Sequence, residues 1–271
     1  QKIAVDWLDS RLGVTDLLHQ QLGGYKLPRN INIWYTLGAV IMALFGLQFL
    51  TGILLLIYYV PDTEKAFDSV LMIMNEVPFG WLFRYLHVVC SNLIIVALLL
   101  HMLSVLFMGS YKRPRELTWV TGFTLLNMGL VFCLTGYLLP WSQLSFWATT
   151  VATDAAGAVP VIGEYLVSFL RGGASVGAAT LGRFFALHVL VLPLALLGLV
   201  GVHLFCVRRN GISQAPFGKD YKPVEHTAEF VHEEHHDGIP FYPNYTSKEL
   251  GVIFFALAIL VLITFYAPWL F

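Results

Sequence analysis

Apolar residues run through this chain in five blocks, each long enough to cross about 30 Å of hydrocarbon as a helix of roughly 20 residues. They fall at residues 34–60, 83–108, 117–139, 184–207 and 250–270, and charged residues collect between them. Residues 1–24 differ. There charges alternate with Trp7, Leu8, Leu12, Leu17 and Leu18, the pattern of a helix lying on a membrane surface and not of a signal peptide. The pattern predicts an all-α integral membrane protein: an amphipathic surface helix (residues 1–30), a four-helix bundle (31–210), a polar loop (211–246) and a fifth transmembrane helix (247–271).

The connections carry an orientation signal. Lys26 and Arg29 precede the first block, Lys112, Arg113 and Arg115 follow the second, and Arg208 and Arg209 follow the fourth. The opposite loop, residues 62–76, sets Asp62, Glu64, Asp68 and Glu76 against Lys65 alone. Positive charge stays on the cytoplasm-like face, so the N-terminus and the basic loops are expected on that side, the n side. The acidic loop faces the p side.

Four histidines then stand out. His87 and His101 lie 14 residues apart in the second block, and His188 and His203 lie 15 apart in the fourth. At about 100° and 1.5 Å per residue, either step brings an imidazole back to nearly the same helix face roughly 21–22 Å further on. Facing each other, the two helices offer two His–His clamps stacked across the membrane, His87 and His188 toward the p side, His101 and His203 toward the n side. Polar groups in lipid are expensive and usually functional. Paired neutral imidazoles between apolar walls suit iron in a porphyrin.

Glycines repeat the period on the other two helices of the bundle. Gly38 and Gly52 are 14 apart, and so are Gly122 and Gly136. A glycine lets a flat macrocycle approach a backbone that a side chain would hold off, which the repeated spacing favours over ordinary small-residue packing. Arg84 and Arg183 lie just before the two p-side histidines. They suit propionate carboxylates, and snorkelling anchors fit the spacing equally well.

Composition supports a membrane protein: 57% apolar, 12% charged, with a mean hydropathy of +0.71. A net charge of −1 gives no pull toward nucleic acid, and none is expected as a partner. Cys90, Cys133 and Cys206 each sit in an apolar block, and no C-x-x-C-H motif exists to attach a c-type haem.

Long stretches resemble known proteins. Lys112-Arg-Pro-Arg-Glu-Leu-Thr-Trp-Val-Thr-Gly122, Pro160-Val-Ile-Gly163, Leu170-Arg-Gly-Gly-Ala-Ser-Val176 and Arg208-Arg-Asn-Gly-Ile-Ser213 resemble the short chloroplast-type form of cytochrome b. Gly136-Tyr-Leu-Leu-Pro-Trp-Ser-Gln-Leu-Ser-Phe-Trp147 and Ile239-Pro-Phe-Tyr-Pro-Asn-Tyr-Thr-Ser-Lys-Glu-Leu250 are closer to the mitochondrial-type form. Nearly the whole chain is similar to cytochrome b of the quinol–cytochrome c and quinol–plastocyanin oxidoreductases.

That resemblance implies two non-covalent b-type haems. His87 and His188 would ligate the p-side, low-potential haem, and His101 and His203 the n-side, high-potential one. It implies a p-side quinol-oxidation pocket walled by residues 137–153, with Tyr137, Pro140, Trp141, Phe146, Trp147 and Ala148. Pro140 ends the third helix and forces a turn. It also implies an n-side quinone site at the start of the first helix, Arg208 and the pair Lys248 and Glu249, where an acid beside a cation suits proton uptake. The implied setting is a proton-motive quinol oxidoreductase of an energy-transducing membrane, bacterial inner or similar, respiratory or photosynthetic. Its implied partners are a Rieske-type iron–sulfur protein, a c-type cytochrome or equivalent acceptor and lipids, in a complex that is a homodimer; the chain would not be active alone.

Three departures qualify the resemblance. Thr36 stands where chloroplast-type relatives tether an extra haem through cysteine, so no covalent haem is expected there. Ser104 replaces the arginine expected three residues after the n-side ligand His101. The Pro-Glu-Trp-Tyr segment that closes the family's oxidation pocket does not occur between Gln1 and Phe271, and Ala267-Pro-Trp is no substitute. A second membrane subunit is expected to carry it. The loop with His226, His232, His235 and His236 reads as a solvated polar connection over a zinc site. Two rival functions remain. A haem-b anchor wiring a peripheral dehydrogenase to quinone leaves residues 137–153 without a role, and a transporter with structural histidines would be colourless.

Overall fold

The computed structural model describes Trp7, residues 9–13, Thr15, residues 24–214, Pro216 and residues 238–270. Among these, five helices are long and apolar enough to span a membrane: Ile33–Leu56, Gly80–Phe107, Glu116–Leu138, Ala178–Asn210 and Phe241–Tyr266. All five expected blocks are present. The fifth forms a regular helix over Thr246–Tyr266, with Lys248 and Glu249 in its first turn, inside the expected 247–271.

A short strand, β1 (Lys26–Leu27), opens the end of the bundle that carries the basic loops; this end keeps the label n side, and the opposite end p side, from the charge pattern alone. A tight turn at Ile33–Thr36, capped by the Asn32 side chain accepting from Trp34 N at 3.1 Å, leads into α1 (Leu37–Leu56). The acidic p-side loop contains a helix, α2 (Ala66–Asn75), and then α3 (Gly80–Phe107) returns across the bundle. Gly80 starts α3 where a Cβ would sit 2.0 Å from the Ile73 carbonyl, so no side chain fits. α4 (Glu116–Leu138) is followed by two short p-side helices, α5 (Gln143–Gly157) and α6 (Gly163–Arg171). α7 (Ala178–Ala186) continues through a widened π-turn, Leu187–Val191, into α8 (Leu192–Asn210). β2 (Ile239–Pro240) pairs antiparallel with β1 ahead of α9 (Thr246–Tyr266).

The surface helix expected over residues 1–30 lies largely outside the described residues. Where 24–30 are described, Lys26–Leu27 is extended and not helical. Its backbone pairs with Ile239–Pro240, and Phe241 N donates to Tyr25 O at 2.8 Å. The histidine-rich loop also lies outside the described residues.

α1, α3 and α9 share a core of Leu44, Val89, Cys90, Ile94 and Leu260, joined by Leu126 of α4. A second cluster, Ala66, Leu138, Leu181 and Phe184, fastens the p-side end. Most other apolar side chains on the spans face outward, as lipid contact permits. On the n side, buried Arg115 donates to the carbonyls of Asn210 and Gly211 at the end of α8. This guanidinium satisfies a helix terminus.

Candidate functional site

Each of the four histidines projects from one long helix toward a glycine on its neighbour. α1 opposes α3, and α4 opposes α7 and α8. A Cβ at Gly136 would lie 2.6 Å from His188 Cε1, at Gly122 3.1 Å from His203 Cε1, at Gly52 3.3 Å from His87 Cε1, and at Gly38 3.7 Å from His101 Cε1. The 14-residue glycine period therefore matches the histidines one for one. The space each glycine opens is taken first by an imidazole, a role the sequence reading had given to the macrocycle.

Threonines beside three of these glycines hold the rings. Thr51 Oγ1 lies 3.0 Å from His87 Nδ1, Thr121 Oγ1 3.0 Å from His203 Nδ1, and Thr135 Oγ1 3.1 Å from His188 Nδ1. Gln48 Nε2 donates to the His87 carbonyl at 3.0 Å. Sequence reasoning missed all four residues. The signal was present for three of them, since Thr directly precedes Gly52, Gly122 and Gly136.

In the p-side layer the His87 and His188 ring centroids are 6.4 Å apart with their planes at 68°. With Nδ1 anchored outward on both rings, two metal–nitrogen bonds of about 2 Å and half a ring at either end account for about that separation. Phe132 packs edge-on to His188 at 5.6 Å. In the n-side layer His101 faces Gly38 and His203 faces Gly122. The donor set of paired imidazoles fits b-type haem, whose iron the two histidines of a layer would hold.

The 15-residue step between His188 and His203 has a structural cause. Pro193 has no N–H for the helical ladder, and Leu192 N bonds back five residues to Leu187 O. This π-turn takes up one extra residue. A step of 15 with one such turn keeps the register of the 14-residue step on α3.

Arg84 makes no hydrogen bond or ion pair among the described residues and sits one turn before His87 on α3. Arg183 instead donates to the carbonyls of Ser168 and Phe169 at the end of α6. Ser104 Oγ donates to the Trp34 carbonyl at 3.4 Å.

The p-side aromatic segment starts immediately after Gly136. α4 ends at Leu138, two residues before Pro140, and the Tyr59 hydroxyl donates to the Leu139 carbonyl at 2.7 Å. Burial pushes the Tyr59 phenol up, so it stays a donor. Trp141 has φ of 51°, which turns the chain sharply into α5, capped by Ser142. Trp141, Phe146 and Trp147 form a run of edge-to-face rings, 5.9 and 5.2 Å between centroids. Pro140 and Ala148 are half-buried beside it, while Tyr137 and Trp147 face outward. Sequence reasoning missed the buried brace behind this wall. Arg171 donates to Thr153 Oγ1 at 2.8 Å, the Thr150 carbonyl at 2.8 Å and Asp154 Oδ1 at 2.6 Å.

On the n side the Arg208 guanidinium stacks 3.5 Å from the Tyr25 ring centre. Burial pushes the Tyr25 phenol up, partly offset by the charges of Arg208 and Arg115. Glu249 is half-buried in the first turn of α9, Lys248 is exposed, and the nearby Tyr245 hydroxyl is buried without a hydrogen-bond partner among the described residues.

Fold and site together define a class: an integral membrane helix bundle whose paired histidines fit b-type haem. Comparison with known proteins names the family. The cytochrome b/b6/petB family matches residues 22–211. The chain is 37% identical to cytochrome b/c1 of Bradyrhizobium diazoefficiens over 265 residues, 98% of this chain and 37% of that protein. It is 42% identical to cytochrome b6 of Synechococcus sp. (strain JA-3-3Ab) over 208 residues, 77% of this chain and 96% of that protein. A chain of a hyperthermophilic respiratory Complex III superposes with a TM-score of 0.86 at 37% identity, covering 97% of this chain and 67% of that one. The chain belongs to the cytochrome b/b6/petB family. It spans little more than a third of the cytochrome b/c1 relative's length.

Proposed function

We propose that this chain is the di-haem cytochrome b component of a proton-motive quinol oxidoreductase, carrying electrons from a p-side quinol site to an n-side quinone site. The observation that carries the reading is the two-layer arrangement of four histidines, each facing its own glycine. Bound between two imidazoles, haem iron supplies one-electron transfer and has no open position for oxygen chemistry. His87 and His188 would hold the p-side group, and His101 and His203 the n-side group. Gly38, Gly52, Gly122 and Gly136 leave room for ring and macrocycle. Arg84 is the p-side propionate partner; Arg183 would have to leave the end of α6 to serve as a second.

At the p side, residues 137–153 form one wall of the quinol pocket, with the aromatic run Trp141, Phe146 and Trp147 as its apolar surface and Tyr137, Pro140 and Ala148 beside it. One electron would leave for an iron–sulfur partner of Rieske type and on to a c-type or equivalent acceptor, and the other would cross by way of the groups that the two histidine layers would hold. The acid-bearing segment that completes the pocket comes from outside residues 1–271. At the n side, Glu249 delivers a proton to quinone, Arg208 offers a cation beside it, and Lys248 supplies surface charge. The Tyr245 hydroxyl, buried without a partner among the described residues, supports a polar ligand here, since buried hydroxyls rarely lack a partner. The basic loops put the N-terminus on the n side, and the complex assembles as a homodimer in lipid.

Redox titration of the complex purified from its membrane, followed in the haem absorption bands, tests the reading. Two one-electron components are expected. His87→Asn and His188→Asn should each remove the same one, and His101→Asn and His203→Asn the other. A single component, or loss of both from any one substitution with the fold intact, overturns it.

A further inference from the structure

Three of the four ring sites repeat one arrangement, and the fourth breaks it. At Thr51, Thr121 and Thr135 the hydroxyl meets an imidazole Nδ1, and it also donates back to its own helix. Those acceptors are the carbonyls of Leu47 at 2.9 Å, Leu117 at 2.8 Å and Val131 at 2.9 Å. A hydroxyl has one proton. With that proton committed to the carbonyl, Oγ1 accepts and the imidazole Nδ1–H donates, which leaves Nε2 as the unprotonated, metal-facing nitrogen.

At the fourth site Leu37 precedes Gly38, and His101 Nδ1 is buried with no hydrogen-bond partner among the described residues. Trp34 stands three residues before Leu37, and its carbonyl accepts from the Ser104 hydroxyl at 3.4 Å.

We propose that Thr51, Thr121 and Thr135 are positioning residues that set the donor strength of three haem ligands, and that Leu37, by withholding this contact from His101, raises the n-side potential above the p-side one. The inference rests on the di-haem reading and adds a physical cause for the direction of electron flow. An acceptor on Nδ1–H makes the imidazole more basic at Nε2 and fixes its orientation. A more basic axial ligand stabilises the ferric form and lowers the reduction potential. The p-side layer has two such imidazoles and the n-side layer one. An electron therefore moves downhill from His87 and His188 toward His101 and His203.

The test is redox titration of both centres in the intact complex carrying Leu37→Thr, Thr121→Val, Thr121→Ser or Thr135→Val. Leu37→Thr should lower the n-side midpoint, with roughly a tenfold change in the ferric-to-ferrous ratio at fixed potential, about 59 mV for a one-electron couple. The p-side midpoint should stay in place. Thr121→Val should raise the n-side midpoint by a similar step, Thr121→Ser should restore it, and Thr135→Val should raise the p-side one. Unchanged midpoints in Leu37→Thr and Thr121→Val with both haems bound would overturn the inference and leave the di-haem reading standing. If Leu37→Thr does not assemble, the Thr121 pair decides alone. Failure of His101→Asn and His203→Asn to remove the same component would instead overturn the underlying reading.

Discussion

Gly136 and His188 are fitted so closely that a single methyl group at Gly136 would lie 2.6 Å from His188 Cε1. The other three glycine–histidine pairs are looser, and the grading sets up a mutational series. Gly136→Ala should displace the imidazole and abolish the p-side haem signal. Gly122→Ala and Gly52→Ala should give partial loss from their own layers, and Gly38→Ala, at ordinary contact distance, should retain both haems. Haem-to-protein ratio and band shape in the purified complex check the order; equal loss across the series would refute the clearance argument.

Thr36 is buried and donates its hydroxyl to the Ile33 carbonyl at 2.6 Å. It has no thiol for a thioether, so no haem should remain attached after denaturation. A denaturing gel stained for haem peroxidase activity should be blank at the mass of this chain, and a band there would contradict the expectation.

Glu249 is half-buried beside Tyr245, and Lys248 is exposed. Glu249→Gln should slow reoxidation of the n-side haem about 10²-fold or more, as expected when a general acid is removed. Its reduction from the p side should be untouched. Lys248→Gln should change reoxidation little. Stopped-flow traces in the haem bands separate the two steps, and an unaltered rate in Glu249→Gln would leave that carboxylate with a structural role only.

The Tyr59 hydroxyl holds the turn at Leu139 where the aromatic segment begins. Its phenol is raised by burial, so its contribution to stability is fully present below the ordinary phenol range near pH 10 and is lost as pH rises through the raised value. Tyr59→Phe should cost about 1 kcal/mol and slow p-side haem reduction by quinol. It should also flatten the loss of stability above pH 10, read by thermal unfolding across pH.

Arg171 is a buried cation with side-chain and backbone acceptors on α5. Arg171→Met should destabilise the α5–α6 pair by about 3–5 kcal/mol, since it strands polar groups in a closed site. Asp154 is largely exposed, so Asp154→Asn should cost no more than about 1 kcal/mol. Limited proteolysis of the p-side connection between α4 and α6 should accelerate in the first variant and not in the second.

Much of this architecture was legible without coordinates, because a membrane leaves few choices. Lipid demands long apolar helices, and the helical repeat is constant enough that spacings of 14 and 15 already placed four imidazoles in two layers. The glycine period was legible for the same reason, and so was the break at Pro140. The short p-side helices were not. α5, α6 and α2 are brief and mixed in polarity, and Arg171 looks like an ordinary surface charge until Thr150, Thr153 and Asp154 are brought around it.

What the sequence determined by itself was therefore periodic: how many spans, which residues share a face, and which side carries the positive charge. What only the tertiary structure decided was pairing between helices. It assigned each glycine to one imidazole, turned three threonine hydroxyls onto Nδ1 and left His101 without one, and absorbed the odd residue of the 15-step in a π-turn. Such contacts depend on how neighbouring helices rotate and approach, and short-range patterning along one chain does not encode a partner that lies 36 to 82 residues away.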